Sequence, residues 1–247
     1  IVKNFSFGLM ARTAAEAFVE NDTLNLNYYS FADLGAYAAL GVSLMGGVVK
    51  VGAAGRVLNR AELNRTYTPA EYVGKSLDYT NQWQEGMGYA VDLGLIVTSP
   101  TFAFPRFALA VLDVGSTKMR EQRTVFTGGE GRPGAPADIP QRINSGVGFK
   151  LKMGGVATSS FNFEIKDLAH AYKANPVHYF HGGWELMVKQ RLSIRAGLNE
   201  GRYWTAGGGI QMLGVGLDFA TYGENISHRD GGRKDDRKYV LRIYVEL

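Results

Sequence analysis

Few residues in this chain have the types and spacing that chemistry requires. Four histidines, His170, His178, His181 and His228, are the only imidazoles among 247 residues, and cysteine is absent. Without thiols there is no disulfide framework, no thiolate metal site and no cysteine nucleophile. His178 and His181 stand three apart on what reads as a strand, so they point to opposite faces and cannot chelate one metal. Gly207-Gly208-Gly209 is followed by a strand pattern and not by a helix, which makes these packing glycines and not a phosphate loop. No catalytic residue, metal ligand or cofactor site is expected.

What remains is charge at alternate positions inside apolar segments. Arg195, Asp218, Arg242 and Glu246 lie in the C-terminal part, and Asp92, Arg142, Lys150, Lys152 and Glu164 precede them. Arg12, Glu16, Lys50, Arg56, Glu185 and Arg191 keep the same phase. Charges taken out of water without partners are costly, so these side chains must pair across strands or line water.

The elements that must hold them are legible from alternation. Tyr239, Leu241, Ile243, Val245 and Leu247 form one face of the last segment, while Arg242, Tyr244 and Glu246 form the other. Leu213, Val215, Leu217 and Phe219 alternate with Gly214, Gly216, Asp218 and Ala220. Leu192, Ile194, Ala196 and Leu198 alternate with Arg191, Ser193, Arg195 and Gly197. A period of two is the strand period. Arg and Asp at mid-strand suit a membrane barrel, apolar toward lipid and polar toward a lumen, better than a soluble sheet. Leu241, Ile243 and Val245 are the lipid-facing residues in this reading.

Composition agrees. The 32 glycines are roughly twice the usual ~7%; they fall inside strand patterns, where they mark bends and close packing. The net charge of +4 is scattered, with no run of five or six like charges, so no nucleic-acid partner is expected. The longest uncharged run, from Leu34 to Val49, is 16 residues with four glycines, short of the ~20 that a spanning helix needs. An exported protein whose signal peptide has already been removed is the expectation.

In chain order, the phase is unbroken over 3–20 and 23–44, a tight hairpin follows at 45–47, and Val49 to Val57 alternate. Residues 59–85 and 115–140 read as long loops, the second too rich in glycine and proline to pack and therefore mobile. Strands follow around Leu93, Leu109, Phe149, Phe163 and Trp184, then Leu192 to Leu198, Tyr203 to Met212, and the last two. Connections alternate short and long. Short turns on one side and longer outer loops on the other are the habit of outer-membrane barrels. The prediction is one domain over 1–247, a closed antiparallel transmembrane β-barrel of about twelve strands (alternatively fourteen). Both termini would be periplasmic, with outer loops at 60–85, 117–140, 167–177 and 223–237.

Several blocks carry a resemblance: Gly-Tyr-Ala-Val-Asp-Leu-Gly-Leu at 88–95, Ala-Val-Leu-Asp-Val-Gly-Ser-Thr at 110–117, and Ile-Pro-Gln-Arg-Ile-Asn-Ser-Gly-Val-Gly-Phe-Lys at 139–150. His-Gly-Gly-Trp-Glu at 181–185, Leu-Ser-Ile-Arg-Ala-Gly-Leu-Asn-Glu-Gly at 192–201, Thr-Ala-Gly-Gly-Gly-Ile at 205–210 and Gly-Leu-Asp-Phe-Ala-Thr-Tyr-Gly-Glu at 216–224 complete the set. Over about 35–247 the chain resembles the FadL-like outer-membrane superfamily, within it the PorV-like or conjugal-transfer TraF-like branch. The resemblance implies a porin-like monomeric barrel of a Gram-negative bacterium. Its role would be uptake of hydrophobic compounds or partnership with a secretion machine. The Asn-Pro-Ala plug region typical of FadL-like transporters has no match here.

Two functional classes follow. The first is transport of small or hydrophobic solutes across the outer membrane. The second is a non-conducting structural or docking barrel whose outer loops or lumen bind a protein partner. A barrel hydrolase is a third, but no histidine is followed by the Ser-Asn-Gly that such enzymes carry, so no enzyme is expected. Outer-membrane lipid, a small-molecule or hydrophobic ligand and a protein at the outer loops are the partners to expect. Arg195, Asp218, Arg242 and Glu246 are the predicted core of a lumen ion-pair network.

Overall fold

In the computed structural model, residues 4–20, 22–73, 82–171, 176–212, 214–225 and 235–245 are described. Glu246 and Leu247 lie outside them, as do the connection at 226–234, with His228, and the residues at 74–81. The fold is a single large antiparallel sheet. Its strands are β1 (Phe5–Val19), β2 (Leu26–Leu44), β3 (Val49–Tyr67), β4 (Gln84–Thr98), β5 (Arg106–Leu112), β6 (Arg120–Glu121) and β7 (Arg142–Met153). Then come β8 (Ala157–Ile165), β9 (Phe180–Val188), β10 (Leu192–Asn199), β11 (Tyr203–Met212), β12 (Val215–Asn225) and β13 (Asp235–Val245). Twelve strands pair in chain order from β1 to β13, and the two-residue β6 pairs with β4 off that path. The thirteenth strand is thus a short addition and not a split of β1 or β2, whose unbroken phase the sheet preserves.

The hairpin between β2 and β3 is a 3-10 turn at Met45–Gly47, with Gly46 and Gly47 at φ 65° and 94°. Both glycines adopt the left-handed backbone that side chains disfavour. Two four-residue helices, α1 (Pro69–Tyr72) and α2 (Leu168–Ala171), sit in connections. Glu71 closes a capping box at the start of α1, accepting from the Thr68 N–H and hydroxyl; those bonds, the N–H first, hold its carboxyl below the usual range.

Two expectations about element bounds change. The connection predicted at 59–85 is shorter, because β3 continues to Tyr67 and β4 begins at Gln84. Its extra residues, Asn59-Arg60-Ala61-Glu62-Leu63-Asn64-Arg65-Thr66, look loop-like only because their charges are read without partners. Arg60 and Arg65 both find carboxylates, and Leu58, Asn59, Arg60, Ala61, Glu62 and Leu63 are all buried. The second change concerns His178, which falls in a 3-10 turn at Pro176–Tyr179; only His181 is on a strand.

The chain divides into two compact units. One comprises Ile1–Val42, Gly52–Leu93 and Val111–Gln141; the other comprises Ser43–Val51, Gly94–Ala110 and Arg142–Leu247. Large apolar side chains stand exposed in both, and in the first unit polar and charged ones are buried. Phe5, Phe7 and Leu9 in the first unit stand 56, 77 and 87% exposed, and Tyr239, Leu241 and Ile243 in the second are 65–69% exposed. Asp33, Asn27 and Asp113 are buried instead. In the first unit apolar rows point outward while Asp33, Arg60, Glu62, Glu85 and Asp113 are enclosed, the reverse of a water-soluble sheet; in the second the apolar row is exposed and Arg195, Glu185 and Asp218 are partly open.

Candidate functional site

Register, which brings the charges together, groups them into three clusters. In the first unit, β1 and β2 pair Arg12 with Asp33 directly across. Asp33 accepts from Arg12 Nη2 at 2.6 Å and from Arg60 Nε at 2.7 Å, its side chain wholly enclosed. Both guanidinium groups stand 4.9 Å from the Phe31 ring centroid, so the aromatic face helps hold two cations around one carboxylate. Glu62 lies buried beside them and accepts the N–H of Ala137.

The second cluster ties β3 and β4 to the end of β5. Arg56 meets Asp92 at 2.9 Å and Asp113 at 3.1 Å. Asp113 in turn donates its N–H to Asp92 and accepts the Thr117 hydroxyl at 2.7 Å. Asp113, Gly115 and Ser116 take positive φ values of 53°, 76° and 67°, a left-handed bend at which β5 breaks off.

Beyond that bend, segment 113–141 is folded against the sheet. This overturns the expectation that so much glycine and proline would keep it from packing. Thr117 bridges to Ile139, and β6 pairs with Gly86 and Met87 of β4. Gly86 and Gly88 permit the approach: a Cβ on Gly86 would lie 2.7 Å from the Arg120 carbonyl and Pro136, and one on Gly88 equally near Met119. Glu85, with no exposure at all, accepts the N–H groups of Val125 (2.7 Å) and Thr127 (2.9 Å) and the Thr127 hydroxyl (2.9 Å). Asp138 accepts from Lys118 Nζ (2.7 Å) and the Met119 N–H (2.9 Å), and these two bonds hold its carboxyl below the usual range. The glycines and prolines of this segment therefore serve tight bends between anchored points.

The third cluster lies in the second unit. Arg195 on β10 bonds Glu185 on β9 at 2.6 Å and Asp218 on β12 at 3.1 Å. To reach Asp218 it must cross β11. Its partner there is Gly207, and Asp218 stands opposite Gly209, where any Cβ would overlap the carboxylate. Gly209 thus leaves the space that the Asp218 carboxylate occupies, and Gly207 puts no side chain between Arg195 and Asp218.

Arg242 is the cross-strand partner of Asp218, yet its guanidinium packs 4.8 Å from the Tyr244 ring. No ion pair involving it occurs among the described residues. Asp218 already takes Arg195, and the Tyr244 ring fills the space over Gly216 and offers its face to Arg242. Glu246, the other predicted member, lies outside the described residues.

The predicted charges of β7 and β8 sit in no ion pair among the described residues. Register sets Lys150 opposite Ser160, Lys152 opposite Thr158 and Glu164 opposite Gly146 and His181. Lys152 instead stands 5.4 Å from the Phe104 ring, and Arg142 is exposed at the start of β7. Asp92 is in the second cluster. Leu241 and Ile243 are on the exposed apolar face; of the Val245 side chain, beyond them, nothing is described.

Asp33, Arg60, Glu62, Glu85 and Asp113 were not among the predicted site residues. Asp33 was within reach, since it holds the inward phase of β2 opposite Arg12. The others depend on the extension of β3 and β4 and on the fold of 113–141. Among the described residues no group of three or more His, Asp or Glu could hold a metal ion. No protein-family model matches the chain, and no curated protein matches it either.

Proposed function

We propose that the chain is an outer-membrane β-barrel protein that passes small or hydrophobic solutes through a lumen kept narrow at rest. The observation that carries this reading is the inverted partition: a belt of exposed Phe, Leu, Ile and Val on one face, with enclosed Arg–Asp clusters on the other. Water penalises such a belt over so many strands, whereas lipid welcomes it. Closing the twelve-strand path on itself would remove both sheet edges, which a bilayer demands. The FadL-like resemblance supports uptake, and segment 113–141, with its Glu62, Glu85 and Asp138 anchors, supplies the restriction.

The second reading is a docking barrel, favoured by that same segment, since an ordered surface built on buried anchors suits a protein partner. Conductance of the full chain in planar bilayers separates the two. Transport predicts small currents for wild type and larger ones for Glu85→Ala, which frees the donors of Val125 and Thr127. If both proteins insert, show heat-shifted mobility on gels and carry no current, the docking reading takes over.

A further inference from the structure

On the exposed apolar face of the second unit, Arg237 is a cation with no ion pair among the described residues. Arg237 shares a face of β13 with Tyr239, Leu241 and Ile243, all strongly exposed. Its guanidinium carbon lies 3.7 Å from the ring centroid of Trp204, itself 55% exposed on β11. Nη1 donates to the Thr221 hydroxyl and Nη2 to the Trp204 carbonyl, both at 3.3 Å. No carboxylate among the described residues pairs with it. Its neighbour Lys238, on the opposite face, is bound by Glu224. Lys238 is thus paired, whereas Arg237, on the apolar face, keeps charge and donors to spare.

A guanidinium has five N–H donors in a planar fork, of which two are used here. The indole fixes the plane of that fork, so a ligand meets an oriented donor set. Trp204 and Tyr239 are the residue types that mark headgroup depth in a bilayer, and Arg237 ends the apolar row at the connection to β12. The chemistry that completes such a site is a phosphate, which accepts a bidentate pair from arginine.

We propose that Arg237 and Trp204 form a binding site for the phosphate of an anionic lipid headgroup at the border of the apolar face. The inference rests on the membrane-barrel reading.

The test uses the full chain with Trp204 as its only tryptophan (Trp83→Phe, Trp184→Phe), refolded into phosphatidylcholine vesicles. These are doped with equal fractions of brominated phosphatidic acid or brominated phosphatidylcholine. Quenching by phosphatidic acid should exceed that by phosphatidylcholine about fivefold, the scale of one charge-assisted contact. The preference should vanish in Arg237→Gln and persist in Arg242→Gln, whose arginine lies on the other face. Phosphatidic acid retained by wild-type protein through detergent extraction, measured by mass spectrometry, gives the same comparison without tryptophan changes. Equal quenching by both lipids, or a preference unchanged in Arg237→Gln, overturns the site. A preference abolished by millimolar inorganic phosphate makes it a soluble-phosphate site and overturns the lipid assignment. Absence of quenching by either lipid removes the membrane reading and the site with it.

Discussion

At the scale of single residues, enclosure decides what each ion pair is worth. Asp33 is shielded from solvent and serves two arginines, while Asp218 is partly open and shares Arg195 with Glu185. Replacing Asp33 by Ala leaves Arg12 and Arg60 facing each other, one of them buried. The cost should be about 3–5 kcal/mol, the range for stripping one partner from an enclosed pair. Asp218→Ala leaves Arg195 with Glu185 in a wetter setting and should cost less than about 1 kcal/mol. Urea unfolding in lipid vesicles measures both. Equal losses would mean that the two clusters sit in equally wet surroundings.

At the scale of elements, segment 113–141 is held by bonds that differ in their sensitivity to acid. Asp138 is solvent-exposed, and its carboxyl is held low by Lys118 and the Met119 N–H. A carboxylate with a lowered folded-state pKa stabilises the fold above the ordinary aspartate range, and that contribution disappears as pH falls through the lowered value. Hydrogen exchange at Met119 should therefore stay slow from neutral pH down to the ordinary aspartate range. The local opening equilibrium should grow only below it. Asp138→Asn should show the open behaviour already at neutral pH. Loosening of the wild-type segment near neutrality would point to a different anchor. The capping box at Glu71 carries the same sign, so α1 should fray over a similar acid range.

For the whole molecule, the question is which face meets lipid. Leu241 and Ile243 extend an exposed row that also includes Tyr239, while Val240 belongs to the opposite face of β13. Ile243→Arg should cost about 2–4 kcal/mol if Ile243 lies near the midplane, because a cation on the lipid side loses its hydration there. Val240→Arg should be milder, since the polar face already accommodates Arg242 over an aromatic ring. Unfolding titrations in vesicles of both variants give the comparison, and equal penalties would remove the basis for assigning the faces.

Local periodicity was legible in the amino-acid order. Phe5 to Val19 and Leu26 to Leu44 keep one phase without a break, and each proved to be one strand; so did the segments ending at Met212 and Val245. Period two is a property of the backbone, so apolar faces, turns and strand number along the path could be read without knowing the neighbours. Tertiary structure alone decided which charges meet. Arg195 reaches Asp218 because two glycines of an intervening strand stand between them, and Arg242, nearer in register, turns to Tyr244 instead. It also decided where β3 ends and that 113–141 packs, since polar residues such as Arg60, Glu62 and Glu85 look like loop until their partners are in place. Register between strands is a non-local quantity, and a slip of one residue would exchange every partner while leaving the sequence pattern unchanged.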